Sequence, residues 1–107
     1  MRIIAASSYR RAAARLLSAE DCKAMEAAIA ARPDAWPVVP GTGGARKARV
    51  PLPGRGKRSG ARVIYYFQAT PEVLALLAIY AKAAKEDLTH GDRRNIREAI
   101  RAIAEAL

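Results

Sequence analysis

Acid is what this sequence is short of. The chain of 107 residues carries 10 Asp+Glu against 19 Lys+Arg, a formal net charge of +9, and it has no acid between Asp34 and Glu72. A charge so far from zero favours an anionic partner through its long-range field and through counterion release, whether nucleic acid, an anionic membrane surface or an acidic protein. Cysteine is almost missing as well: Cys22 stands alone, which excludes an internal disulfide and a cysteine metal cluster. Its helical spacing with Met25 and Ile29 reads as an inert packing position. The one histidine, His90, leaves no metal-ligand spacing, so neither a metal nor a cofactor is expected. No serine stands in a nucleophile-elbow pattern that His90 could serve. No apolar run reaches the roughly 18 residues of a membrane span, and the N-terminus MRIIAASSYRR lacks the parts of a secretory signal. The expectation is a cytoplasmic protein with no membrane partner.

What is present is enough for one folded unit. The hydrophobic fraction is 51%, above what a disordered chain carries. The length suits a single domain over residues 1–107, and no linker or internal repeat divides it. Arg2 to Ala5 reads as a short strand. Ser7 and Ser8 are good N-cap residues for a helix whose apolar positions are Tyr9, Ala12, Ala13, Leu16 and Leu17. Ser18, with Asp21 three residues on, caps a second helix that runs to about Ala31, where Arg32-Pro33 ends it. Asp34 to Pro40 is too rich in proline for a central strand and suits a short edge segment, from which Trp36 packs over the helix pair. Val73 to Ala81 (VLALLAIYA) fits a helix or a buried central strand, and periodicity does not decide between them. Thr89 caps a last helix with Asp92 reaching back, and Ile96, Ile100, Ile103 and Leu107 form its apolar stripe.

Between these elements lies the basic stretch from Gly41 to Phe67, with seven Lys/Arg and no acid. Gly41-x-Gly43-Gly44 opens an alternating strand, not a helix, so it lacks the context of a nucleotide-binding loop. In the strand from Ala45 to Leu52, Lys47 and Arg49 point one way and Arg46, Ala48 and Val50 the other. A Pro/Gly-rich tip carries Arg55, Lys57 and Arg58. The next strand, Ala61 to Gln68, puts Arg62, Ile64, Tyr66 and Gln68 on one face. Two cations two residues apart on a strand sit roughly 7 Å from each other, close to the spacing of neighbouring phosphates. Arg62 offers a bidentate fork to phosphate and Tyr66 a platform for a base. Arg46, Lys85 and the tip cations add RNA-binding charge, and Lys82 joins the same face if the apolar segment is a strand. The plainer reading, a solvated strand pair whose charges only aid solubility, is the weaker of the two on charge density and interleaved aromatics.

GTGGARKARV, then GRGKRSGARVIYYF, then LLAIYAKAAKEDLT together resemble the RelE superfamily of bacterial toxin–antitoxin modules. The likeness is greatest to the HigB-type branch, with its GGxRKxR strand, GKxGGxRxIYY strand and YxKxxxxDL segment. It covers nearly the whole chain. The resemblance implies an α+β fold in β-α-α-β-β-β-α order, with an antiparallel sheet, two N-terminal helices on one face and a groove on the other. It thereby makes Val73 to Ala81 a strand. The terminal helix, which some relatives lack, either packs on the sheet or moves when a partner binds. The implied function is metal-independent, ribosome-dependent cleavage of mRNA, in which the 2′-hydroxyl attacks the adjacent phosphate. Carried over by position, Lys47 or Arg49 positions or activates the 2′-hydroxyl, Arg62 binds the scissile phosphate, and Lys82 stabilises the leaving oxygen or donates a proton. Where some relatives place a catalytic tyrosine this chain has Leu88 or Thr89, which leaves Tyr66, Tyr80 or His90 as proton-transfer candidates. The implied partners are the ribosome, mRNA and a cognate antitoxin, a small helix-turn-helix protein. Two other functions compete: a ParE-like inhibitor of DNA gyrase, and a nucleic-acid-binding module without catalysis.

Overall fold

The computed structural model describes residues 1–52 and 60–107. Along the chain lie β1 (Arg2–Ala5), α1 (Ser7–Leu16), α2 (Ala19–Ala31), β2 (Arg46–Val50), β3 (Ala61–Gln68), β4 (Val73–Ala81) and α3 (His90–Ala106). The strands form one sheet in the order β1-β4-β3-β2. The fold is α+β as expected, but the sheet is mixed instead of antiparallel. Strands β2, β3 and β4 are antiparallel neighbours, whereas β1 pairs with β4 in parallel, Arg2 opposite Val73 through Ala5 opposite Leu76. A parallel pair needs a crossover between its strands, and the helix pair with the hairpin behind it supplies one.

Val73–Ala81 is a strand because it is central. With a neighbour on each side and a helical layer on each face, it has no solvent face to mark with polar residues. Between Ile64 and Tyr65 the register to β4 slips: Ile64 faces Ala78, but Tyr65 faces Leu76, so Leu77 is extra. This bulge puts both Leu77 and Ala78 on one side of the sheet.

Two cores result. On one face α1 and α2 bury Tyr9, Ala13, Met25 and Ile29 against Val63, Tyr65, Leu74, Leu76 and Ile79, with Trp36 at the margin. On the other, α3 lays Ile96 and Ile100 over Ile64, joined by Val39, Ala45 and Leu88. The second face is therefore not the open groove that the family resemblance implied. The amphipathic stripe of α3 needs apolar cover, and the sheet gives it for two turns. The stripe then runs off the sheet: Ile103 is half-buried and Leu107 is 42% exposed.

The caps follow the sequence at two helices out of three. Thr89 and Asp92 bond reciprocally at 3.0 and 2.9 Å, and Ser18 accepts from the Asp21 amide at 3.0 Å. At α1 the N-cap is Ala6, without a side-chain bond, instead of Ser7 or Ser8. The reason lies in the sheet: the Ala6 amide still donates to the Leu76 carbonyl at 3.0 Å, so the helix starts one residue after the ladder ends. No helix of the described residues is long and apolar enough to cross a membrane.

Candidate nucleic-acid interface

Register decides which cations meet, because residues directly opposite in a sheet share a face. Arg49 stands opposite Arg62, and Arg62 opposite Tyr80. One rung along, Lys47 stands opposite Ile64, and Ile64 opposite Ala78. Lys47, Arg49, Arg62 and Tyr80 thus fall in two adjacent rows on the α3 face, towards the end of the sheet where β3 begins and β4 ends. Arg49 lies on the edge strand, is exposed, and also borders an apolar groove of about 390 Å³ between α2, Trp36 and Val50. Gly60 lets β2 and β3 come this close, since a Cβ there would sit 2.9 Å from the Val50 carbonyl oxygen.

Lys82, just past β4, is exposed, and its amide donates to the Gly60 carbonyl at 2.9 Å, adding a rung after Ala81. It therefore borders the same end of the sheet. Arg62 is half-buried and has no carboxylate partner among the described residues; its only bond there is a 3.3 Å contact to the Ala61 carbonyl. Residues 53–59 contain no acid that could add one.

Other candidates have different occupations. Arg46, on the opposite face, donates to the carbonyls of Trp36 at 2.6 Å and Asp34 at 3.2 Å. It fastens the proline-rich segment to the sheet, where Val38 bridges to Arg46 and the Lys47 amide donates to Pro37. Tyr66 packs its ring on Gly44, beside the α3 core, and its hydroxyl reaches Gln68 at 3.4 Å. His90 is exposed in the first turn of α3. Arg55, Lys57 and Arg58 lie outside the described residues.

The segment after β4 closes over the two rows and was not legible in the sequence. Asp87 reaches Lys47 through Oδ1 at 3.6 Å and Arg93 through Oδ2 at 3.4 Å. Its Oδ1 also accepts from the Leu88 amide at 2.7 Å. That amide bond first, then Lys47 and Arg93, hold its carboxyl below the ordinary carboxylate value. Lys85 pairs with Asp92 and sits 5.7 Å from the centre of the Tyr80 ring. Bonding to Lys85 and to the Thr89 amide likewise lowers Asp92. Arg93 and Arg97, one turn apart on α3, donate to the carbonyls of Pro40 at 2.7 Å and Gly41 at 2.9 Å. The Gly-rich turn is thus held through its carbonyls by arginines. Gly41, Gly43 and Gly44 all have positive φ, which lets the turn fold back under α3.

Tyr80 sits at the centre of this arrangement. Its hydroxyl oxygen is buried and has no hydrogen-bond partner among the described residues. Burial, followed by the charge of Asp87, pushes its pKa above the ordinary tyrosine value, so it remains a neutral donor. An unpaired buried hydroxyl is costly, of order 1–3 kcal/mol. Beside it, a cavity of about 360 Å³ runs between β4 and α3, with Leu77, Ala78 and Ile96 as apolar walls and Lys85, Asp92 and Asn95 as polar ones.

On the far side of the molecule Cys22 and Tyr9 both bond to Glu26, at 3.3 and 2.8 Å, and burial raises the pKa of each. The raised value favours the thiol over the thiolate at Cys22. Among the described residues no group of three or more His, Cys, Asp or Glu stands together as metal ligands. The chain matches no protein-family model.

Proposed function

We propose that the chain is the toxin of a toxin–antitoxin pair, a ribosome-dependent mRNA interferase of the RelE type. The observation that carries this reading is the two-row cluster of Lys47, Arg49 and Arg62 beside Tyr80 on one sheet face. The three sequence motifs supply the rest. In this reading Arg62, which has no carboxylate partner among the described residues, takes the scissile phosphate in a bidentate fork. Lys47 and Arg49 bracket the attacking 2′-hydroxyl and the non-bridging oxygens, and Lys82 lies towards the leaving oxygen. Charge stabilisation by fixed cations is the main source of rate in such a site. Tyr80, kept neutral by burial, suits the donor that protonates the leaving 5′-oxygen better than the base that opens the reaction.

A second reading draws on the segment after β4. Asp87 and Asp92 neutralise Lys47 and Lys85, which suits a face that holds RNA without cutting it. One experiment separates the two. Purified protein is added to a translation reaction and mRNA 5′ ends are mapped, with ribosome-free RNA as control. Cleavage only with ribosomes, lost in Lys47→Ala/Arg62→Ala, is the expected outcome. Salt-sensitive RNA binding without new 5′ ends selects the second reading. Intact mRNA with arrested gyrase selects the ParE-like alternative.

A further inference from the structure

We propose that Asp87 is a built-in competitor for phosphate: its carboxylate fills, between Lys47 and Arg93, the position that a phosphate of bound RNA takes. Arg93 therefore belongs to the RNA-binding surface. This rests on the reading that the face binds RNA, but not on cleavage.

The geometry is that of an occupied anion site. The carboxylate presents one oxygen to each of two cations from different elements, Lys47 on β2 and Arg93 on α3, at 3.6 and 3.4 Å. Both cations are restrained. Lys47 is half-buried in the sheet, and Arg93 is tethered through Nη1 to the Pro40 carbonyl, which leaves Nη2 aimed at the anion. The incumbent is easily displaced, since the Asp87 side chain is 54% exposed. Exposed ion pairs of this kind are weak. A phosphodiester carries the same single charge and two non-bridging oxygens, so it can meet the same pair of donors.

The test is binding of a short single-stranded RNA oligonucleotide at low salt to five full-length proteins: wild type, Asp87→Asn, Glu86→Gln, Lys47→Met and Asp87→Asn/Lys47→Met, with Lys47→Met as reference for the last. Asparagine keeps the Oδ1 that accepts from the Leu88 amide, so the turn survives the change. Glu86 is exposed and forms no ion pair among the described residues, so it reports the general effect of deleting one acid. Asp87→Asn is expected to tighten binding about threefold to tenfold, the scale of removing one close charge competitor. Glu86→Gln is expected to give less than half of that, and the gain is expected to vanish in the Lys47→Met background. Equal gains from both acids, a gain that survives without Lys47, or no gain at all would overturn the proposal. Absence of cleavage on ribosomes, with the Asp87 effect intact, overturns the nuclease reading and leaves this one standing.

Discussion

The two faces of the sheet are built from the same strands and do opposite things with polar groups. On the helix-pair face the polar groups at the core are answered: the Tyr65 hydroxyl donates to the Pro33 carbonyl at 2.7 Å and Tyr9 to Glu26 at 2.8 Å. On the α3 face the apolar contact covers only part of the strands, and beyond it lies a field of paired charges around a tyrosine hydroxyl that has no partner among the described residues. A stable fold needs the first arrangement. The second costs stability, and the function proposed above supplies a ligand that would complete it. Function is then expected at the end of the second face and stability in the first.

The sharpest way to break that contrast is to truncate one residue on each face. Leu76→Ala on the helix-pair face removes a fully buried side chain and is expected to cost about 2–5 kcal/mol. Arg62→Ala on the α3 face removes a half-buried cation without a carboxylate partner among the described residues, and is expected to cost under about 1 kcal/mol. RNA binding should show the reverse ranking, once both proteins are confirmed folded by urea denaturation. If Arg62→Ala unfolds the protein, the division of labour between the faces is wrong.

Smaller effects sharpen the same boundary. Gly60→Ala would force a Cβ to within 2.9 Å of the Val50 carbonyl oxygen and pry β2 from β3 next to Arg49 and Arg62. Its expected cost is about 1–3 kcal/mol, the range of overpacking changes, and it should be accompanied by weaker RNA binding. Gly43→Ala, at φ +78°, should cost about 1–2 kcal/mol through the left-handed backbone alone. Thr89→Ala removes the cap of α3 and is expected to cost about 1 kcal/mol. That loss should appear in hydrogen exchange of α3 amides before those of the sheet.

Much of this architecture could be read from the chain because local chemistry and tertiary structure agree there. Ser18, Arg32-Pro33 and Thr89-x-x-Asp92 bound their helices, and the alternation in Arg46–Val50 assigns Lys47 and Ala48 to opposite faces as the strand does. What could not be read depends on contacts distant in sequence. Ser7 and Ser8 lost the cap to Ala6 because β4 holds the Ala6 amide. Arg46 looks like its neighbours in composition, yet carbonyls of the proline segment claim it. Asp87 is an ordinary loop acid until the register of β2 and the first turn of α3 bring two cations to it. Nothing in Val73–Ala81 announces the bulge at Leu77, which comes from pairing with β3.

The smallest expected effect is a pH dependence confined to the α3 face. Asp87 and Asp92 both have folded-state pKa values below the ordinary 3.8. A carboxyl depressed by folding adds stability that is fully present above its unfolded pKa and is lost as pH falls through the folded one. Stability should therefore be flat from neutral pH down to about the ordinary carboxylate value and decline below it. The decline should be shallow, because the Asp87 side chain is about half exposed and that of Asp92 about a third, so their ion pairs are screened. Urea midpoints across that range, compared between wild type and Asp87→Asn/Asp92→Asn, measure it. The variant should start lower, since Asp92 also closes the cap with Thr89, and should lose less on acidification. An equal acid slope in both proteins would move the responsible carboxyls elsewhere. The contrast between the two faces would then not extend to their titration.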